Sequence, residues 1–335
     1  MTAQISSTVH RLTLRNPWNI SHGRSLARET VIVHLGSGLG EAAIVPYLGG
    51  SAHDVQQELA ATEGDPLKDL SVDSIPTNSS ESTAVAVHCA LDLARYDLAG
   101  RDQRRPLWDL LGLSVPRPME TSISIAMDTP DRMAALAQSA RASMLKVKVG
   151  GDHDEEAIEA IRGVTTASLR LDANGGWTRE RAAHLIPRLA RFDVELIEQP
   201  LAASDRYGFA WLAAQNLGVP IFADESVATV DDIDRLAHDV DGVVIKLRKF
   251  GGITASLEGI ARARRLGKRV MMGCMIESSV ATTAAAHLGG LCDLVDLDSP
   301  LLISNDPYEG IRYEGSICHV PDLPGIGVSP RPTSA

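Results

Sequence analysis

From about residue 120 onward the chain alternates between two hydrophobic periods. Short runs rich in β-branched and apolar residues ("TSISIA", "MLKVKV", "SLRLD", "VELIE", "PIFAD", "GVVIK", "RVMMG", "LVDLD") are separated by longer stretches such as "DEEAIEAIRGV" and "GITASLEGIARARRLG". In those stretches Ala, Ile and Leu recur at helical spacing with charges on the opposite face. The runs end near Ala126, Val149, Asp172, Ile197, Ala223, Lys246, Gly273 and Leu297, and subtraction puts successive ends 23, 23, 25, 26, 23, 27 and 24 residues apart. Each interval holds one strand, one helix and two loops. Eight such units predict an α/β fold, a closed parallel (β/α)8-type barrel over residues 116–304, of the modified (β/α)7β form if the last helix is missing or displaced.

Residues 1–115 read differently. Strands are expected around 8–14 and 29–35 and helices around 52–63 and 80–101, which makes an α+β capping domain. The tail, residues 305–335, contains the Gly- and Pro-rich "YEGSICHVPDLPGIGVSP" and is expected to return and pack on that cap. A cap over the open end of a barrel excludes water from a site there.

A chain of 335 residues, 44% apolar, is long enough for one large core and a smaller one. The net charge of -11 excludes a general binder of nucleic acid or of anionic membrane, because no basic surplus is available to displace counterions. Cys89, Cys274, Cys292 and Cys318 show no CxxC spacing and sit mostly in apolar stretches, as reduced core thiols do. The N-terminus lacks the apolar core of a signal peptide, and no apolar run approaches the ~18 residues of a membrane span. A cytoplasmic enzyme is expected, with association into homo-oligomers left open.

The polar residues fall at the strand ends. Alternation along "LKVKVG" sends Lys146 and Lys148 to one side and Leu145, Val147 and Val149 to the other, so both lysines face the barrel's mouth. Strand three ends at Asp172, strand four at Glu198, strand five at Asp224 and strand six at Lys246. Any one strand-end Asp is more often a helix cap than a ligand. Three carboxylates from three consecutive strands, in register with the repeat and flanked by lysines, point instead to a bound cation. Three hard oxygen ligands without Cys or His suit Mg²⁺, with Asn174 and the Gly-Gly turn of "DANGGW" supporting Asp172.

These residues resemble the enolase superfamily and, within it, the muconate-lactonizing-enzyme subgroup. The resemblance is carried by "KVKVG" (Lys146, Lys148), "DANGGW" (Asp172, Asn174), "EQP" (Glu198), "ADES" (Asp224), "KLRKFGGI" (Lys246) and "GCMIESS" (Glu277), with "ALDLARYDLAGRDQRRPLWDLLG" and "DLPGIGV" extending it over nearly the whole chain. It implies removal of a proton α to a carboxylate-type carbonyl, with the enolate charge held by Mg²⁺. Lys148 and Lys246, on opposite sides of the barrel, would be the two bases, and Lys146 and Glu277 would serve substrate binding. Two bases flanking one carbon fit racemisation or epimerisation.

In "LVDLDSP", Asp296 and Asp298 are two apart and so expected to face the same way. An Asp-x-Asp at strand eight resembles the dipeptide epimerases, in which the pair binds the free α-ammonium of a dipeptide. The stretch "NPWNISHGRSLARE" (16–29) is expected to be the cap loop that sets side-chain preference, with Arg24 meeting an acidic residue as in an L-Ala-D/L-Glu epimerase. In a gapless comparison Gly23, not Arg24, falls at the arginine's place. N-acylamino-acid racemase, o-succinylbenzoate synthase and muconate cycloisomerase activities remain alternatives within the subgroup, and an inactive binding barrel is an alternative outside it.

Overall fold

The computed structural model of the chain describes residues 4–62 and 82–332. Eight strands, Ile123–Ile125, Met144–Lys148, Ser168–Asp172, Val194–Glu198, Ile221–Ala223, Gly242–Lys246, Arg269–Gly273 and Leu294–Asp296, form one sheet in chain order. The neighbouring pairs are parallel. A parallel bridge between Thr121 and Val295 brings the first strand to the last and closes the barrel. Each strand end lies within one residue of its expected place. The eighth helix is reduced to one turn, Ser299–Leu302.

Two layers of apolar side chains hold the barrel. Leu145, Val147, Leu169, Leu171, Val243 and Ile245 point outward and are buried against the surrounding helices. Inside, Leu196, Phe222, Val244 and Met271 form a separate cluster. The interior below the mouth is therefore a packed floor, as the alternation of strand side chains requires.

Register then sets the site. Lys148 pairs with Asp172 and Asp172 with Glu198, so three charged residues stand abreast at the strand ends. On the other side Lys246, Gly273 and Asp296 are abreast. A Cβ at Gly273 would lie 3.0 Å from Lys246 Cε, so the glycine leaves the lysine its path to the mouth.

The N-terminal part departs from expectation in two places. Residues 16–29, expected as a loop, are a β-hairpin: one strand runs Ile5–Ile20 and the next Gly23–Leu35, with a turn of only two residues between them. A third strand, Gly38–Ala43, completes the antiparallel sheet. Its sequence, GLGEAA, contains no β-branched residue, so period and propensity give no strand signal there. Gly40 is required by packing rather than conformation, since a Cβ would sit 1.8 Å from Ala90 O of the helix beneath.

That helix spans Ser82–Gln103, and a shorter one spans Ala52–Ala61 behind a Ser51–Asp54 capping box. Positions 63, 80 and 81 of the expected helices lie outside the described residues. The tail divides its contacts. Ile326 N donates to Asp97 Oδ1 and Leu107 N to Gly325 O, while Arg312–Glu314 and Ile317–His319 form a hairpin paired with Met119–Glu120 before the first barrel strand.

The sheet is fastened to the barrel by buried polar side chains. Glu41 accepts from Ser278 N, Ser278 Oγ and Ala281 N at the start of helix Ser279–Leu288, and from Thr30 Oγ1. Asp92 accepts from Thr254 N and Oγ1, and Arg248 donates to Ala43 O and Ser82 O. Among the described residues no helix is long and apolar enough to cross a membrane, and the four cysteines are unpaired thiols.

Candidate active site

Asp172, Glu198 and Asp224 are fully buried at the ends of strands three, four and five, with carboxylate oxygens within 4.8 Å of one another. Four lysines surround them. Lys146 Nζ lies 3.0 Å from Asp172 Oδ2, 2.8 Å from Glu198 Oε2 and 2.8 Å from Asp296 Oδ2. Lys148 Nζ donates to Asp172 Oδ2 at 2.6 Å and Lys246 Nζ to Asp224 Oδ2 at 2.6 Å. Lys249 Nζ stands 2.6 Å from Asp224 Oδ1 while donating to three backbone carbonyls, those of Asp224, Val227 and Val244.

Burial works against charge on the three acids and on Lys146 and Lys246, and neighbouring charges oppose or reinforce it. For Asp172 the ammoniums of Lys146 and Lys148 outweigh burial and hold the carboxyl below its usual range. For Asp224 those of Lys246 and Lys249 do the same. Glu198 goes the other way: burial and then the charge of Asp172 push it well above the ordinary glutamate value. Lys146 and Lys246, which burial alone would discharge, are held strongly protonated by the acids beside them.

Three buried carboxylates this close repel one another, and two of their oxygens remain unspent. Glu198 Oε2 and Asp224 Oδ1 accept no hydrogen bond among the described residues, although a lysine Nζ stands beside each. Unsatisfied acceptors of that kind are costly without a partner. An all-oxygen donor set with free acceptor capacity fits a hard dication of the magnesium type.

Above the triad is a cavity lined by Lys148 and Lys246 from opposite sides, by Lys146 and Asn174, and by Asp296 and Asp298. Asn174 has a left-handed backbone (φ 43°), its N–H donates to Asp172 Oδ1, and its side-chain amide donates to Glu225 Oε1. Burial and the charge of Asp224 raise Glu225 to about 7. The strand stops at Asp296, and Asp298 begins the turn Ser299–Leu302, so the two aspartates share the cavity without the strand alternation expected of them. Asp296 is held low, Lys146 prevailing over burial, whereas burial and then Asp296 raise Asp298 to about 7.

Two expected substrate contacts fall elsewhere. Arg24 is exposed near the hairpin tip and does not line the cavity, whereas Arg28 does. Both stand on one face of the strand, four residues and so about 13 Å apart. Glu277 is buried behind the wall that Cys274, Met275 and Ile276 present to the cavity, its pKa raised by burial and by Glu41.

The sequence leaves the facing of Arg28, near Arg24, open, and gives no signal for Tyr47, Glu225 or Lys249 at the site. Glu225 and Lys249 follow the named Asp224 and Lys246 by one and three positions. Tyr47 reaches the cavity from the cap and stacks on His22 with ring centroids 4.6 Å apart, a contact that no local pattern announces.

A family model described as Enolase C-terminal domain-like matches residues 130–334. The chain is 36% identical over 301 residues to an L-Ala-D/L-Glu epimerase of Bacteroides thetaiotaomicron, covering 87% of this chain and 78% of that one. It is 41% identical over 253 residues to a hydrophobic dipeptide epimerase of Roseobacter litoralis, covering 71% and 72%. Among solved structures, the fold matches the dipeptide epimerase of Enterococcus faecalis complexed with Mg and the dipeptide L-Leu-L-Tyr, with TM-score 0.86, 28% identity and coverage of 98% and 99%.

Proposed function

The chain belongs to the enolase C-terminal domain-like family, and from that premise we propose that it is a magnesium-dependent dipeptide epimerase that inverts the α-carbon of the C-terminal residue. The observation that carries the reading is the placement of Lys148 and Lys246. Their side chains enter one cavity from strands two and six, and the carboxylate triad lies between them.

Asp172, Glu198 and Asp224 would hold the dication, which supplies positive charge where negative charge grows on the substrate carboxylate as the α-proton leaves. One lysine takes the proton from one face of the α-carbon and the other returns a proton to the opposite face. Each must alternate between neutral and charged. Lys246 is held charged by Asp224, and once that carboxylate is engaged elsewhere, burial favours release of its proton. A cap over the cavity would limit the access of water to the site and leave the lysines as the proton donors.

Asp296 and Asp298 give the cavity an acidic end suited to a dipeptide's free ammonium. An N-acylated amino acid has no cation to place there, which sets the racemase and synthase alternatives behind. Side-chain preference is assigned to Arg28, a half-buried cavity cation that pairs with no carboxylate among the described residues, next to apolar Trp18 and Ile20. That combination favours an acidic C-terminal residue, as in L-Ala-L-Glu.

The test is a panel of L,L-dipeptides beside N-succinyl amino acids, incubated with the protein and Mg²⁺ and read by chiral chromatography. Epimerisation of dipeptides, best with C-terminal Glu and abolished by a chelator, is the expected result. Turnover of the N-succinyl set alone would overturn the dipeptide reading.

A further inference from the structure

The three acids of the mouth are not held equally by the backbone of the sheet. Asp172 and Glu198 are the last residues of strands three and four and pair with each other. Asp224 lies one residue past strand five, Ile221–Ala223, whose last pairs are Phe222 with Glu198 on one side and Ala223 with Val243 on the other. Gln199 supplies what the ladder leaves out. Its N–H donates to Phe222 O at 2.8 Å, and a regular parallel ladder would continue with the carbonyl of Gln199 accepting from Asp224 N. The backbone of Gln199 is instead left-handed (φ 40°), and its carbonyl accepts from Gly175 N at 2.8 Å. Its side-chain Oε1 takes the Asp224 N–H at 2.9 Å and the Ser226 N–H at 3.2 Å. The other end of the amide, Nε2, donates to Leu201 O and to Ser226 Oγ, each at 2.7 Å. One fully buried residue thus joins the loops that follow all three acid-bearing strands.

We propose that Gln199 is a positioning residue for the cation site: its side-chain amide stands in for a missing ladder rung, sets the separation of Asp224 from Glu198, and so selects the ion by size. The proposal rests on the reading that Asp172, Glu198 and Asp224 hold a dication. Mg²⁺ demands near-octahedral oxygens at about 2.0–2.1 Å, whereas Ca²⁺ accepts looser arrangements at about 2.3–2.6 Å. A rigid frame therefore favours Mg²⁺. Without the rung, the three mutually repelling carboxylates are free to spread, which Ca²⁺ tolerates better than Mg²⁺. The left-handed backbone belongs to the same device. It is uncommon outside Gly, Asn and Asp, and here it turns the main-chain carbonyl toward Gly175 and leaves the rung to a side chain.

The experiment titrates the parent protein, Gln199→Met and Ser226→Ala by calorimetry, with Mg²⁺ alone and with Ca²⁺ alone, after melting curves have shown which variants fold. Gln199→Met keeps the length of the side chain and removes both polar atoms. It is expected to weaken Mg²⁺ about 30-fold and Ca²⁺ by no more than about threefold, so the preference for Mg²⁺ falls roughly tenfold. Ser226→Ala removes one acceptor of the amide and is the milder change, with an expected fall in that preference of roughly threefold. The ratio of the two affinities is the deciding quantity, because a merely structural defect lowers the share of folded protein and so weakens both ions alike. An unchanged ratio in the folded variants, Ser226→Ala alone if Gln199→Met does not fold, would overturn the proposal while leaving the cation site standing. A parent protein that binds neither ion would overturn the cation reading of the three acids, and the proposal with it.

Discussion

The barrel mouth and the seam that joins the cap and tail to the barrel both bury carboxylates, and they treat them in opposite ways. At the seam, Glu41 accepts four hydrogen bonds, and Asp97 accepts from Leu39 N, Ile326 N and Arg101. At the mouth, the acids face lysine ammoniums instead, and Glu198 Oε2 and Asp224 Oδ1 accept nothing. A buried acid whose acceptors are filled by backbone and hydroxyl donors holds a fold together. One that sits among other carboxylates, with lysines beside it but oxygens that accept no hydrogen bond, keeps acceptor capacity for a ligand.

The comparison predicts where neutralising an acid does harm, and the largest effect belongs to the mouth. Glu198→Gln is expected to lower turnover by at least roughly 10³-fold with little change in melting temperature, since burial and the charge of Asp172 already work against a charged side chain there. Steady-state kinetics and calorimetry together check this, and a large fall in stability would break the distinction.

At the seam, acid is the lever. His287 Nδ1 accepts from Trp108 N and Nε2 donates to Ile326 O, which fixes the neutral ring, and burial brings its pKa down to about 4. The unfolded chain takes up a proton near pH 6.5 that the folded one refuses until about pH 4. Stability contributed by this residue is therefore complete above pH 6.5 and lost as pH falls toward 4, by about 3 kcal/mol. Urea unfolding across that range is expected to show the loss, and a flat profile would remove His287 from the seam's account.

Glu41→Gln is a smaller perturbation of the same kind. The amide nitrogen meets donors where the carboxylate oxygen had accepted, at an expected cost of about 2 kcal/mol in unfolding free energy with turnover within a few-fold. The smallest effect expected is that of Arg28→Ala, a roughly tenfold rise in KM for L-Ala-L-Glu with KM for L-Ala-L-Leu unchanged; a parallel rise for both substrates would deny Arg28 its part in selectivity.

The mouth was more legible in the sequence than the seam, for a physical reason. A barrel repeats one unit, so strand ends recur at nearly equal spacing, and Lys148, Asp172, Glu198, Asp224 and Lys246 stand out as charges where apolar runs stop. The seam depends on contacts between distant segments: Glu41 lies 237 residues from Ser278, on a strand whose glycines hide it from any β-propensity. Asp298 and Arg24 mark the boundary between the two cases. Alternation located Asp298 correctly in the cavity for a reason that failed, because the strand ends at Asp296. For Arg24 the composition of the stretch suggests a loop, whereas a bulged hairpin carries Arg28 to the cavity instead.

The central claim, two lysines on opposite faces of one carbon, is tested most directly by following deuterium incorporation at Cα in D₂O with Mg²⁺, using L-Ala-L-Glu and L-Ala-D-Glu separately with Lys148→Met and Lys246→Met. Each variant is expected to lose epimerisation and to exchange only one of the two isomers, with the isomers opposite for the two variants. Exchange of the same isomer by both variants, or of both isomers by either one, would contradict the assignment of one base to each face.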